Sequence, residues 1–426
     1  MNKRQVIILW VIAIALGAAV TTVKLTQKDT SKSATNRAPG ETLFESFPAV
    51  DVTNVEIQGA AVSVTLTKKE GVWAVVERDG YPANATSVNE FIRTLSELKV
   101  TRGMEAGLSF APRFGMDESS SNPADHGLTA TFKDAGGKQL AKVSLGKNIE
   151  SGADAGPMGG AMSVGRYIRN HADESGFYAI SEMFPAVSTE AARWLADDFI
   201  SPEKIKAITL SEKDKSDNAW KLTRETEEAE FKLDGAAPTE VLDTTVTSPL
   251  KSLFSYARFD DVVPAGKIAE RTVADGKRNA TIETFEGFTY NLTIAPVKGA
   301  EDKLLMTVTV AAELPKERKK EEGEKPEDAK AKDEAFTQRV KTLTEKLDKA
   351  KLFVGRTFEV SKSTIDPLLK ERSQLITAPT PSPAAGTGNG SMQQLPGGII
   401  ATPPSRSTAT TPPIAIPPME DQEKQN

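Results

Sequence analysis

The chain has 426 residues, a formal net charge of −6 and 26% charged residues. Mild acidity is the opposite of the clustered basic surface that nucleic acid demands, so nucleic acid is not an expected partner. With no cysteine the chain has no disulfide, thiolate zinc site, iron–sulfur cluster or thiol nucleophile, and two histidines, His126 and His171, leave little for His-based metal or acid–base work.

Lys3 and Arg4 precede an apolar run from Val6 to Val20, which Thr21, Thr22 and Val23 extend without a charge. As a helix rising about 1.5 Å per residue it spans roughly 27 Å, close to the roughly 30 Å hydrocarbon core of a bilayer. Residues 1–25 are therefore expected to form a cytoplasmic N-terminus and a transmembrane anchor. Cleavage at Gly17-Ala18-Ala19, as in a signal peptide, is the alternative. The basic pair predicts that the rest of the chain lies outside the cytoplasm. Residues 26–44 are polar and turn-rich and read as a linker.

A strand-rich block follows, and its order appears twice in the sequence. The first copy, 45–200, opens with alternating strands at Val52–Ile57 and Val62–Leu66 and a third at Gly71–Val76 that carries Trp73. Val88, Phe91, Ile92, Leu95 and Leu98 then form one apolar helical stripe, with Thr86 or Ser87 as its cap and Glu90 completing a capping box with Ser87. A hairpin comes next, Leu128–Phe132 and Leu140–Leu145 about Gly136-Gly137, and Gly176–Ser181 and a short helix near Ala191–Leu195 close the copy.

The second copy, 201–376, repeats the pattern with Ile205–Leu210 and Ala219–Leu222, where Trp220 answers Trp73. A second helix is expected from Pro238, carrying Val241, Val246, Leu250, Leu253 and Phe254, with Pro249 kinking or breaking it. Strands at Asn279–Phe285, Phe288–Leu292, Leu304–Val310 and Arg356–Ser361 follow, then a short helix near Pro367–Arg372. A charged insertion at about 315–350 separates the last two strands. Its first half reads as solvated low-complexity chain. In its second half Phe336, Val340, Leu343 and Leu347 predict an amphipathic helix docked on its own domain. Residues 377–426, rich in Pro, Thr, Ala and Gly, read as a disordered tail. The expected fold class is α+β: an N-terminal transmembrane helix, then a tandemly duplicated strand-rich domain with one main amphipathic helix per copy.

This order of an N-terminal anchor, strands ending in Trp73, Pro82-Ala83-Asn84 ahead of Val88, a hairpin pair and a closing Phe177-Tyr178-Ala179-Ile180 resembles bacterial membrane-anchored proteins with domain of unknown function 4340. The resemblance covers about residues 45–375. It implies an inner-membrane protein with a periplasmic body, found beside ABC-transporter components and gliding-motility-type auxiliary proteins, and hence an accessory role in an envelope complex. It supplies no catalytic residues. The charged insertion and the Pro-rich tail depart from the family's pattern.

No phosphate loop, H-E-x-x-H or G-x-S-x-G motif is present. Asp197-Asp198 and Asp260-Asp261 sit in like contexts, each after a helix, and read as surface carboxylates. His126 and His171 read as solvated loop or turn residues. The Gly152–Gly160 loop with Ala161 and Met162 could bring backbone amides to a ligand, or simply be a loose hairpin connection. Trp73 and Trp220 read as core anchors. No catalytic, cofactor-binding or metal residue is expected, and no cofactor. The expected function is a non-catalytic membrane-anchored scaffold or accessory subunit of a transporter or envelope complex. A peptidoglycan or glycan binder, or an envelope hydrolase using Asp/Glu residues, is the alternative.

Overall fold

Apolar residues at every second position put Val55 and Ile57 of β1 (Asn54–Gln58), Val64 and Leu66 of β2 (Ser63–Lys69) and Trp73 and Val75 of β3 (Val72–Val75) on one buried face. In the computed structural model, which describes residues 37–150, 162–173, 176–212, 218–319 and 324–377, these strands begin a nine-stranded sheet. β4 (Tyr81–Pro82), β5 (Arg102–Gly103), β6 (Leu128–Lys133), β7 (Gln139–Glu150), β8 (Ser163–Asn170) and β9 (Phe177–Ile180) complete it, in the order β4-β3-β2-β1-β6-β7-β8-β9-β5. The β6–β7 hairpin turns where expected: Asp134 Oδ1 accepts from the amides of Gly136 and Lys138, both at 2.9 Å, and Gly137 takes φ +81°.

The apolar stripe forms α1 (Ala85–Ser96), which buries Val88, Phe91, Ile92 and Leu95. Its cap is not Thr86 or Ser87 but Asn84, whose side chain accepts from Ser87 N at 3.1 Å. Asn84 has an extended ψ of 96°, so the helix starts one residue later and Ser87 becomes one of the first-turn donors that need an acceptor.

The second half contains β10 (Ile205–Glu212), β11 (Trp220–Thr223), β12 (Lys232–Leu233), β13 (Val241–Leu242), β14 (Asp261–Val263), β15 (Arg278–Thr284), β16 (Phe288–Val297), β17 (Ala300–Ala312), β18 (Thr357–Ser361) and β19 (Ile376–Thr377). Eight of these form one sheet in the order β12-β11-β10-β15-β16-β17-β18-β14, while β13 and β19 pair separately. Trp73 lies on the third strand outward from β6 and Trp220 on the second outward from β15, so sheet order does not align the two.

One main helix per copy does not hold in the second half. The stretch after Pro238 divides into β13, a single helical turn at Thr244–Thr247 and a 3₁₀ segment at Ser248–Ser252. Pro249 has no N–H to continue an α ladder. The long helix comes instead from the insertion: α2 (Pro326–Lys351) is 26 residues, opening on Pro326 with Glu327 and Asp328 in its first turn. It begins inside the stretch expected to be low-complexity chain. Its C-terminal half docks on its own domain, burying Leu343 and Ala350, while Lys346 Nζ reaches Glu203 and Glu286 at 2.8 Å each. Phe336 and Val340, further toward its start, are only half-buried.

The main apolar core runs through both halves, from Leu43 to Leu375, with two smaller clusters apart from it, around Phe114 and around Val263. Packing begins inside the stretch read as linker, since Leu43 and Phe44 are buried. An aromatic cluster sits at the junction. Phe358 packs against Phe259, Phe199 and Tyr81 at centroid distances of 5.1, 5.2 and 5.9 Å. Among the described residues no helix is long and apolar enough to cross a membrane. The expected anchor at 1–25, most of the linker, the Gly152–Gly160 loop and all but the first residue of the 377–426 tail lie outside the described residues.

Candidate functional site: the groove between the halves

Where the two sheets meet, a groove of about 870 Å³ takes its walls from both. The first half contributes the β1–β2 turn at Val62 and Ser63, the turn after β3 and residues 189–192. The second contributes β14 and the turns that follow it, through Pro264, Lys267 and Arg271. Local sequence sets this shape. Asp79 and Gly80 both take positive φ, 52° and 68°, reversing the chain after Glu77-Arg78 so that Arg78 faces the other half. Pro264 ends β14 and begins the single turn Ala265–Lys267.

The walls are held by charge. Arg78 grips Asp261 with two parallel hydrogen bonds, Nε to Oδ1 at 2.6 Å and Nη2 to Oδ2 at 2.9 Å. Asp79 Oδ2 accepts from Ala265 N at 2.7 Å. Arg271 pairs with Glu359, and Glu77 accepts from Thr65 N at 2.9 Å. Two groove charges have no ion pair or side-chain hydrogen bond among the described residues: Lys267 from the second half and Glu190 from the first. Behind the junction Tyr81 is buried, with Arg356 5.0 Å over its ring, and burial pushes its hydroxyl above the usual tyrosine range despite that cation. The groove is thus preformed and carries one free charge of each sign, suited to salt-bridge and hydrogen-bond partners on another chain.

The carboxylate pairs singled out in the sequence separate here. Asp197 is exposed, 3.7 Å from Arg258, and Asp198 is exposed beside it. Asp260 takes Lys303 Nζ at 2.7 Å at the surface, while its neighbour Asp261 is the groove clamp. The like contexts of the two pairs in sequence do not carry over to like roles.

Both histidines differ from expectation. His126 is buried, closing the turn Pro123–His126 with Nδ1 3.1 Å from Gly127 O. His171 folds back onto the outer face of the first sheet, where Nε2 lies 2.8 Å from Ser144 Oγ and 3.4 Å from Glu118 Oε1. Burial, with Arg169 and Lys142 nearby, lowers its pKa from 6.5 to about 4. Ser144, His171 and Glu118 do not make a nucleophilic triad. The serine and the carboxylate both address Nε2, so among the described residues no acid orients Nδ1, and Ser144 is buried and hydrogen-bonded to Thr129 at 3.0 Å. Trp73 and Trp220 are buried, as expected of core anchors, and donate to Asn89 Oδ1 and Lys370 O. Trp194 is buried too and donates to Ser188 O. Met162 is exposed at the edge of the glycine-rich loop.

Arg78, Glu190, Lys267 and Arg271 were not singled out in the sequence. The Glu77-Arg78-Asp79-Gly80 turn was the one local signal, and it says nothing of a partner 183 residues away.

Comparison with known proteins gives one match, to the family described as domain of unknown function (DUF4340), over residues 73–276. No curated protein and no solved structure matches the chain. The matched span runs from β3 to the turn before β15 and contains Arg78, Glu190, Asp261, Lys267 and Arg271, the charged residues of both groove walls. Residues 73–276 of this chain thus match the model of the DUF4340 family.

Proposed function

We propose that this protein is a non-catalytic scaffold or accessory subunit of a transporter or other envelope complex, anchored by residues 1–25 in the bacterial inner membrane with its body in the periplasm. The groove is its partner-binding surface. The observation that carries this reading is the clamped junction: one core and the Arg78–Asp261 pair hold both walls in fixed register, as gripping a protein partner requires. The Val6–Val23 run behind Lys3 and Arg4 supports the anchor and its direction.

In this reading the halves are copies. Outward from β6 and β15, strands β1, β2 and β3 answer β10, β11 and β12, and β7, β8, β9 and β5 answer β16, β17, β18 and β14. Trp73 then answers the strand that follows Phe231 rather than that of Trp220.

The test is site-specific photocrosslinking from Glu190 and Lys267 in cells, followed by purification from solubilised membranes and mass spectrometry. A stoichiometric membrane partner crosslinked from both positions is expected. Recovery of the protein alone overturns the reading. A periplasm-active phosphatase fused after residue 375 should be active, and activity of a cytoplasmic reporter in its place overturns the topology.

A further inference from the structure

A second cavity, of about 380 Å³, adjoins the groove on the side of the first sheet and shares Val62 and Thr189 with it. Its walls are mostly small and apolar, with Ala60, Ala61, Ala124, Pro123 and Leu128 among them. Set into this lining is the guanidinium of Arg166, on β8. Nε donates to Gly146 O at 2.8 Å and Nη1 to Met183 O at 3.0 Å. Both acceptors are neutral, and Arg166 has no ion pair among the described residues. Burial lowers its pKa, and among the described residues no carboxylate acts against that.

Arg78, Arg271, Arg278 and Arg372 each face a carboxylate. Buried Arg224 is also held by two carbonyls, of Ile205 and Glu227, but Glu227, Glu228 and Glu230 lie near enough to act against its desolvation, which nothing among the described residues does for Arg166. On the rim of the same cavity Lys147 is satisfied by Asp125 at 3.0 Å. A desolvated cation held only by carbonyls is costly, and an incoming anion offsets that cost in surroundings of low dielectric. The guanidinium fork, with two of its nitrogens pinned, is oriented in advance for a planar carboxylate.

We propose that this cavity binds the C-terminal carboxylate of a peptide ending in a small apolar residue. One free cation matches one negative charge. A phosphate dianion would call for a second free cation, and Lys147 is already paired. The apolar walls accept a methyl-sized side chain, and the opening past Val62 and Thr189 leads the preceding residues into the larger groove. The inference rests on the scaffold reading, since it names the part of a partner that the body grips.

The test is isothermal titration of the purified full-length chain with N-acetyl-Ala-Ala-Ala as the free acid, with its C-terminal amide, and with acetate. Saturable binding of the acid is expected, with the amide weaker by about 10- to 100-fold, the range of one charge-assisted hydrogen-bond set. Arg166→Met should abolish binding. Because Arg166 also ties two backbone segments together, Ala61→Trp serves as the second variant: it fills the mouth from an exposed position and should abolish binding with an unchanged melting temperature. The proposal is overturned if acid and amide bind alike, if the acid gives no saturable signal, if Ala61→Trp binds normally, or if acetate binds as tightly as the peptide. The assay needs no cellular partner, so its failure leaves a partner crosslinked at Glu190 or Lys267 standing, and loss of that partner leaves the peptide result readable.

Discussion

The two halves cover the buried face of their sheets by different means. In the first, α1 follows β4 directly and buries four residues of one stripe, a local solution. In the second, Pro249 breaks the corresponding stretch into single turns that bury Leu250, Leu253 and Phe254, and the remaining cover arrives far downstream as the last turns of α2. A sheet face must be covered, but whether the cover is local depends on whether the chain there can propagate a helix. The non-local solution has a consequence: α2 buries apolar residues fully only in its C-terminal half, while its start is tied by charge to the chain just before it, through Arg318 on Asp333 at 2.7 Å.

Phe358→Ala should have the largest effect, because its ring is fully buried at the junction where both halves meet. The cost should be roughly 3–5 kcal/mol in urea unfolding, in one transition that both halves share. Two separated transitions would show that the halves are energetically independent. Leu343→Ala should cost about 2–4 kcal/mol, and Phe336→Ala, two turns earlier on α2, under about 1 kcal/mol. Equal losses would mean that α2 is held along its whole length. Hydrogen exchange gives the same contrast without mutation, with amides near the start of α2 exchanging well before those of α1.

Arg78→Met should cost roughly 1–3 kcal/mol, since it strands the Asp261 carboxylate at a part-buried position. A double-mutant cycle with Asp261→Asn measures the coupling, and a value near zero would remove the clamp from the account of the groove. Asn84→Ala should cost about 1 kcal/mol through loss of the α1 cap, and Asp243→Ala, which caps a helix of one turn, should cost less.

The smallest expected effect is pH-dependent and belongs to the first half. The pKa of His171 is about 4 in the folded chain against 6.5 for an ordinary histidine, so the unfolded chain binds the extra proton between those values. Its contribution to stability is complete above pH 6.5 and is lost as pH falls toward 4. His171→Gln should flatten that part of the stability–pH curve. An unchanged curve would mean that the ring is solvated.

Strand positions were legible because alternation is a local signal: Val55/Ile57 and Ile282 fell on buried faces as their spacing required. The break at Pro249 was legible for the same reason. The cap of α1 was misread by two or three residues because Asn84, Thr86 and Ser87 can all accept a hydrogen bond, and only the backbone angle at Asn84 decides among them. Histidine burial was hidden because a turn can fold its ring toward solvent or sheet with the same sequence. The groove was hidden more deeply. Arg78 and Asp261 look like ordinary surface charges until the sheets are juxtaposed, and Arg166 stands out only because no counter-ion meets it among the described residues, which no sequence window displays.

The junction also has a mechanical meaning. The Arg78–Asp261 fork, the Asp79–Ala265 bond and the Tyr81–Phe358 ring contact all cross one seam, so a pull on either half loads them together rather than in turn. Bonds loaded in parallel share force and yield together. The body should therefore transmit tension as a stiff strut.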